Sequence, residues 1–180
     1  MGEMNVDSLL KGIRSAISKE TLEASKRIVE EIREDRKTFI YGVGRSGLVG
    51  KSFAIRLVQM GLPVFFIGET ITPITEQGDL TIVISNTGET MSAVQTANIV
   101  RRIGGYVIAV TAREHSKLAH AANFVVPIDL SNISEYRPIA PLGTIFEDAV
   151  LLLFDALVPE LMAKFGQNEA SMRARHAIWV

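Results

Sequence analysis

The segment Phe39-Ile40-Tyr41-Gly42-Val43-Gly44-Arg45-Ser46-Gly47 joins an apolar run to three glycines, and a helical pattern begins directly after it near Leu48. This order predicts a β-strand that leads through a glycine loop into a helix. Glycines let a ligand approach the main chain, and the first turn of a helix offers unpaired N–H groups and the positive end of the helix dipole. The segment therefore predicts an anion site that includes Gly44, Arg45 and Ser46.

The same segment also fits the dinucleotide fingerprint, through Gly42, Gly44 and Gly47. Glu69 lies 22 residues beyond Gly47, near the expected place of the ribose-binding acid of an NAD-binding domain. A third interpretation is a turn that packs the helix onto the sheet without any ligand. One loop does not decide among the three.

A second loop, Ser85-Asn86-Thr87-Gly88-Glu89-Thr90, follows the apolar run 80–84 and precedes a helical pattern from Met91. Its hydroxyl groups can donate hydrogen bonds to phosphate oxygens, although they could also serve only as helix N-caps. A dinucleotide fold needs one loop for its pyrophosphate, whereas two hydroxyl-bearing loops at neighbouring strand ends suit one compact phosphate group. The sequence therefore favours a phosphorylated small molecule over NAD. The predicted substrate-binding residues are Gly44, Arg45, Ser46, Ser85, Asn86, Thr87, Gly88 and Thr90.

Composition indicates a globular protein and argues against several classes of function. The chain has 180 residues, of which 47% are hydrophobic and 22% are charged, as is ordinary for one domain with a sizeable core. A formal net charge of -1 gives no broad positive field for nucleic acid, and the absence of cysteine excludes disulfides and thiolate metal sites. No apolar run reaches the roughly 18 residues of a membrane span, and the N-terminus is not signal-like. We expect a cytoplasmic protein that binds neither nucleic acid nor membrane.

Strand and helix patterns alternate along the chain after two N-terminal helices. Nearly continuous apolar strands that alternate with helices predict a parallel sheet covered on both faces. The strand order 2-1-3-4-5 places the two loops side by side, so the predicted fold is α/β, a flavodoxin-like three-layer αβα sandwich with five parallel strands. The first strand begins at Phe39, the other strands cover 64–67, 80–84, 106–110 and 124–128, and the helices cover 6–17, 22–32, 48–60, 91–103, 116–121 and 143–165, with a kink or break at Pro159.

The chain is predicted to form a single domain with three parts. Residues 1–37 supply helices for packing or oligomerisation, residues 38–166 form the sheet and its helices, and residues 167–180 form a C-terminal tail that contributes to a site.

Three segments resemble, in order and spacing, the signature segments of the sugar isomerase (SIS) domain: YGVGRSG at 41–47, DLTIVISNTGET at 79–90 and PLGTIFE at 141–147. GETITP at 68–73 and RARHA at 173–177 are similar to segments of the 6-phospho-3-hexuloisomerases of the ribulose monophosphate pathway. That family interconverts 3-hexulose 6-phosphate and fructose 6-phosphate without a metal. The resemblance therefore implies the SIS fold and an isomerase that uses no metal and no cofactor.

Moving a carbonyl group from C3 to C2 requires that a proton be removed beside the carbonyl and returned one carbon away, which one carboxylate can do. The resemblance implies that Glu147 is this base. Judged by spacing alone, Glu147 and the following Asp148 could merely complement the dipole of the last helix. Two partners are likewise open for Arg45, the substrate phosphate or a nearby carboxylate.

His176 is the second predicted catalytic residue, and its place near the chain end implies a homo-oligomer. It follows Gly166, which is expected to end the last helix, and we expect it to act in the site of a neighbouring subunit. The resembling isomerases are oligomers with shared sites, and a tetramer is expected here. His115 and His120 have no obvious carboxylate partner and are not predicted metal ligands. Apolar residues that suggest packing between copies lie on the first helix and at Ile178, Trp179 and Val180.

Two further functions stay open at this point. One is another SIS isomerase, with arabinose 5-phosphate or sedoheptulose 7-phosphate as substrate. The other is a non-catalytic sensor of sugar phosphates. A sensor needs the phosphate loops but no base, so Glu147 and His176 favour an enzyme.

Overall fold

The structure is a computed structural model that describes residues 6–176. Two helices, α1 (Val6–Ala16) and α2 (Lys19–Glu31), precede the first strand. The strands are β1 (Thr38–Gly42), β2 (Val64–Phe66), β3 (Leu80–Ile84), β4 (Tyr106–Thr111) and β5 (Phe124–Pro127). The remaining helices are α3 (Arg45–Gln59), α4 (Met91–Arg102), α5 (Lys117–Ala121), α6 (Ile133–Tyr136), α7 (Thr144–Lys164) and α8 (Glu169–Arg173).

The five strands form one parallel sheet in the order β2-β1-β3-β4-β5, which confirms the predicted topology. Ile82 of the central strand pairs with Ile40 of β1 on one side and with Ile108 of β4 on the other. All three side chains are buried, as expected for a parallel sheet that is covered on both faces.

Helices pack on both faces of the sheet and divide the apolar interior into two clusters. The larger cluster joins one face to α1, α2, α3 and α7, and the smaller one joins the opposite face to α4 and α5. In the larger cluster the rings of Phe53 on α3 and Phe154 on α7 stack with their centroids 4.3 Å apart. The three-layer sandwich is therefore complete, and the N-terminal helices belong to its main core.

Only part of the apolar stripe of α1 is buried against the rest of the chain. Ile13 and Ala16 are buried in the main core, whereas Val6 and Leu10 stay 59% and 54% exposed. The buried end of α1 thus packs against its own domain. The role of residues 1–37 in oligomerisation stays a prediction.

The structure corrects the predicted start of one helix and excludes the predicted break in another. Helix α3 begins at Arg45 rather than near Leu48, because Gly44 is its N-cap and the glycine-rich segment forms its first turn. Helix α7 runs through Pro159 without a break. Proline removes one helix hydrogen bond, but Leu157 and Leu161 on either side are buried, and their packing holds the two halves together.

Two short helices, α6 and α8, lie where no helix was predicted. Helix α6 has four residues and α8 has five, too few for a periodic apolar pattern to show in the sequence. Within residues 6–176, no helix combines the length and the apolar character needed to cross a membrane.

Candidate functional site

The two predicted phosphate loops leave the sheet at the same level. Gly42, the last residue of β1, pairs with Ile84, the last residue of β3. The backbone therefore turns out of both strands at one edge, as the carboxyl ends of parallel strands must. The segments 43–46 and 85–90 lie side by side there.

The first loop is compact because α3 begins almost on top of β1. A Cβ atom on Gly47 would lie only 2.5 Å from the carbonyl oxygen of Gly42, so this approach requires glycine. Ser46, in the first turn of α3, is 8% exposed. Gly44 and Arg45 are exposed above it. The loop thus presents the start of a helix and one buried hydroxyl, which suits an anion.

In the second loop, the hydroxyl groups face one another. The Ser85 Oγ accepts a hydrogen bond from the Gly88 N–H at 3.2 Å and lies 3.2 Å from the Thr90 Oγ1. Thr90 is the residue before α4, yet its side chain makes no capping bond to the helix. The exposed Thr87 accepts a hydrogen bond from the Glu89 N–H. The Thr90 side chain therefore does not cap α4, and the anion cradle stays a prediction.

A third segment, Pro141 to Gly143, borders the second loop. Gly143 has φ +91°, and a Cβ atom there would lie 2.9 Å from the Asn86 Nδ2 and 3.4 Å from the Glu147 Oε1. Leu142 has φ +55° and is 97% exposed. A bulky residue in the left-handed region is strained, and such strain clusters at functional sites. Asn86 and Glu147 therefore flank a tight turn at the start of α7.

Glu147, the predicted base, is buried and paired with Arg45. Its side chain is 10% exposed, and its Oε2 accepts a hydrogen bond from the Arg45 Nε at 2.7 Å. The Arg45 Nη2 also lies 3.5 Å from the Asp148 Oδ1. The hydrogen bond and the charge of Glu147 raise the pKa of Arg45 above its ordinary value. Of the two partners open for Arg45, the phosphate and a carboxylate, the structure shows Arg45 paired with a carboxylate, that of Glu147.

A cleft of about 1020 Å³ extends from Asn86, Thr87 and Gly143 across the carboxyl ends of β4 and β5. This part of the site was not predicted from the sequence, although Arg113 follows β4 as directly as the predicted loops follow β1 and β3. Arg113 and Arg137 line the cleft and form no ion pair with any residue in 6–176. Acidic groups line it as well, so the cleft has mixed charge. The other charged residues that line it are Lys19, Glu20, Glu114 and Asp129.

His176 does not join the other predicted site residues of its own chain. It borders a second cavity with Gln59 and Met172, at the C-terminal end of α3. Helix α3 has 15 residues, so about 20 Å separates this end from Ser46 at the other. Residues 177–180, which include Ile178, Trp179 and Val180, lie outside the described residues. Among residues 6–176, no three His, Asp or Glu side chains group together to hold a metal ion.

The model of the SIS domain family matches residues 31–155 of this chain. The chain is similar to the 3-hexulose-6-phosphate isomerase of Bacillus subtilis, with 35% identity over 177 residues that cover 96% of this chain and 95% of the relative. It is also similar to the 3-hexulose-6-phosphate isomerase of Methanocaldococcus jannaschii, with 35% identity over 83% of this chain and 80% of the relative.

A similar crystal structure is that of a Methanococcus jannaschii protein for which a molecular function of 3-hexulose-6-phosphate isomerase was inferred. It has a TM-score of 0.84 and 29% identity to this chain, and the match covers 97% of this chain and 98% of that one. The likeness therefore extends over nearly the whole length of both proteins.

Gly88 offers a direct test of the second loop. It has φ +63°, and a Cβ atom there would lie 2.0 Å from the Ser116 Oγ. We expect Gly88→Ala to weaken the binding of inorganic phosphate and to lower the free energy of unfolding, by about 1 to 2 kcal/mol for the left-handed backbone and about 1 to 3 kcal/mol more for the overlap.

Gly78→Ala is the matched control, because Gly78 has φ +86° with no atom within 4 Å of an added Cβ. Gly78→Ala should lower the free energy of unfolding only by the cost of the left-handed backbone, and it should bind phosphate normally. Urea unfolding and calorimetric titration with phosphate measure both effects. Equal results for the two variants would show that the 85–90 loop is not a close-fitting anion site.

Proposed function

The chain belongs to the SIS domain family and is a sugar-phosphate isomerase, and on this premise we propose that it interconverts D-arabino-hex-3-ulose 6-phosphate and D-fructose 6-phosphate. The reaction would proceed by proton transfer through an enediol, with no metal and no cofactor. Its support in the sequence is the likeness to 3-hexulose-6-phosphate isomerases over 96% of this chain.

The observation that carries the proposal is the position of Glu147. Its carboxylate is buried at the start of α7, beside Gly143 and Asn86 and next to the two loops. Burial keeps water away from a group that must hold a proton between two carbon atoms, and the site has room for a ligand on the side of Asn86. A domain that only sensed a sugar phosphate would need no proton acceptor in that place.

The phosphate group is proposed to lie between the two loops. Ser46, Ser85, Thr87 and Thr90 would donate hydroxyl hydrogen bonds, and the backbone N–H group at Gly44 would add to them. Asn86 would contact the sugar, since its amide lies beside the turn that leads to Glu147. The helix starts at α3 and α4 favour the negative charge of the phosphate.

The proposed chemistry needs one carboxylate and one partner that handles the hydroxyl protons. Glu147 takes the proton from C2 of the hexulose, the electron pair of that C–H bond forms the C2=C3 double bond, and the C3 carbonyl oxygen takes up a proton. The resulting enediol then releases the proton of its C2 hydroxyl, a C2 carbonyl forms, and Glu147 returns its proton to C3. The product is fructose 6-phosphate, and no electrons leave the substrate.

His176 of a neighbouring subunit is proposed to handle the hydroxyl protons, in a homo-tetramer. Within its own chain His176 borders a cavity at the far end of α3. A side chain at that distance reaches a site only if the end of one chain meets the strand ends of another. An imidazole can give and take protons near neutral pH, as the enediol oxygens require.

Glu147→Gln tests the base. The amide keeps the shape and the hydrogen-bonding reach of the carboxylate but cannot accept a proton, so we expect fructose 6-phosphate to bind normally while kcat falls at least about a hundredfold. Glu160→Gln, an exposed change on the same helix, is the control and should leave kcat unchanged. If Glu147→Gln still exchanges the carbon-bound proton of the substrate with solvent at the normal rate, Glu147 is not the base.

Mixing two inactive variants tests the shared site. Glu147→Gln subunits and His176→Ala subunits are combined under conditions in which subunits exchange, and activity is measured with time. Shared sites predict that a fraction of the normal activity returns, because some sites then receive both intact residues. A mixture that forms hybrid oligomers, as seen by native mass spectrometry, and stays inactive would mean that each chain completes its own site.

A further inference from the structure

We propose that Arg45 is the positioning residue of Glu147, holding Oε2 through its Nε–H so that Oε1 is the oxygen that exchanges a proton with the substrate. This inference rests on the proposed function, in which Glu147 is the base. It moves Arg45 from the set of phosphate ligands, where the sequence placed it, to a role that acts through another side chain.

The two oxygens of Glu147 have different surroundings. Oε2 accepts a hydrogen bond of 2.7 Å from the Arg45 Nε. Oε1 accepts none from any residue in 6–176, and it lies 3.4 Å from the point that a Cβ on Gly143 would occupy. The absence of a side chain on Gly143 thus leaves space beside Oε1. A general base needs this difference, since one oxygen must be fixed and the other must be open to the reacting carbon.

The guanidinium group is itself held from two sides. It spans Glu147 and Asp148, which follow one another on α7. Its own backbone sits in the first turn of α3, which is locked against β1 by the close approach of Gly47 to Gly42. Arg45 therefore fixes the Glu147 carboxylate relative to the rigid end of β1.

Burial shows which of the two partners depends on the other. The Glu147 side chain is 10% exposed and the Arg45 side chain is 57% exposed. An exposed arginine loses little when its carboxylate is removed, whereas a buried carboxylate without its partner becomes an unpaired charge that must find another arrangement. Loss of Arg45 should therefore displace Glu147, and a displacement of about 1 Å can cost about a hundredfold in rate.

The kinetic constant that changes, kcat or KM, separates this role from that of a phosphate ligand. A ligand that holds the substrate equally in the ground state and in the transition state is lost mainly as a rise in KM. A residue that only orients the base is lost mainly as a fall in kcat. We expect Arg45→Ala to lower kcat about 10- to 100-fold while KM and the dissociation constant for inorganic phosphate change less than about threefold.

The experiment compares Arg45→Ala, Arg45→Lys and Glu147→Gln with the unchanged protein, using fructose 6-phosphate as substrate. Lysine supplies the charge without the planar fork, so Arg45→Lys should have a kcat between those of Arg45→Ala and the unchanged protein. Added ethylguanidinium should raise kcat in Arg45→Ala and not in Glu147→Gln. Lys51→Met is the matched control, because Lys51 lies on the same helix and pairs with Glu69 outside the site.

Other results for these variants would overturn either the role of Arg45 or the proposed function. A rise in KM and in the phosphate dissociation constant with normal kcat would make Arg45 a phosphate ligand, and normal values throughout would leave it no role. If Arg45→Ala fails to fold, Arg45→Lys decides by the same split between kcat and KM. Full activity of Glu147→Gln would instead remove the proposed function, whatever the Arg45 variants do.

Discussion

The candidate site depends on the parallel pairing of β1 with β3, which brings the ends of two strands to one level of the sheet. Gly42 and Ile84 are partners in this pairing, so two loops more than 40 residues apart in the chain open beside each other. A compact anion site follows from this pairing without any contribution from distant segments.

The chemistry depends on a second contact, between α3 and α7. Both helices begin at the same edge of the sheet, and the stacked rings of Phe53 and Phe154 join them about two to three turns further on. Phe53 follows Arg45 by eight residues and Phe154 follows Glu147 by seven, so the aromatic contact sets the two helix starts opposite each other. The ion pair between Arg45 and Glu147 is therefore a consequence of core packing, and it ties the phosphate loops to the carboxylate.

The fold and the two loops could be predicted because their signals are local. Apolar runs that end in Gly44 or in Ser85 are visible within ten residues, and alternation along the chain gives a parallel sheet. The pairing of Arg45 with Glu147 joins residues 102 positions apart and arises only from packing. The left-handed backbone of Leu142 was missed for the same reason, since a leucine rarely adopts it, whereas Arg113 could have been found from its place directly after β4. His176 lies at the far end of α3 from Ser46, and its action in a neighbouring subunit stays a prediction because it depends on contacts between chains.

The most direct measurement of the central claim follows solvent deuterium into three sugar phosphates by NMR. The protein is incubated in D₂O with fructose 6-phosphate, arabinose 5-phosphate or sedoheptulose 7-phosphate. The account predicts that fructose 6-phosphate loses the hydrogen on C3 to deuterium and forms the 3-hexulose isomer, while the other two sugars stay unlabelled. Labelling of arabinose 5-phosphate or sedoheptulose 7-phosphate alone, or of no sugar at all, would contradict it.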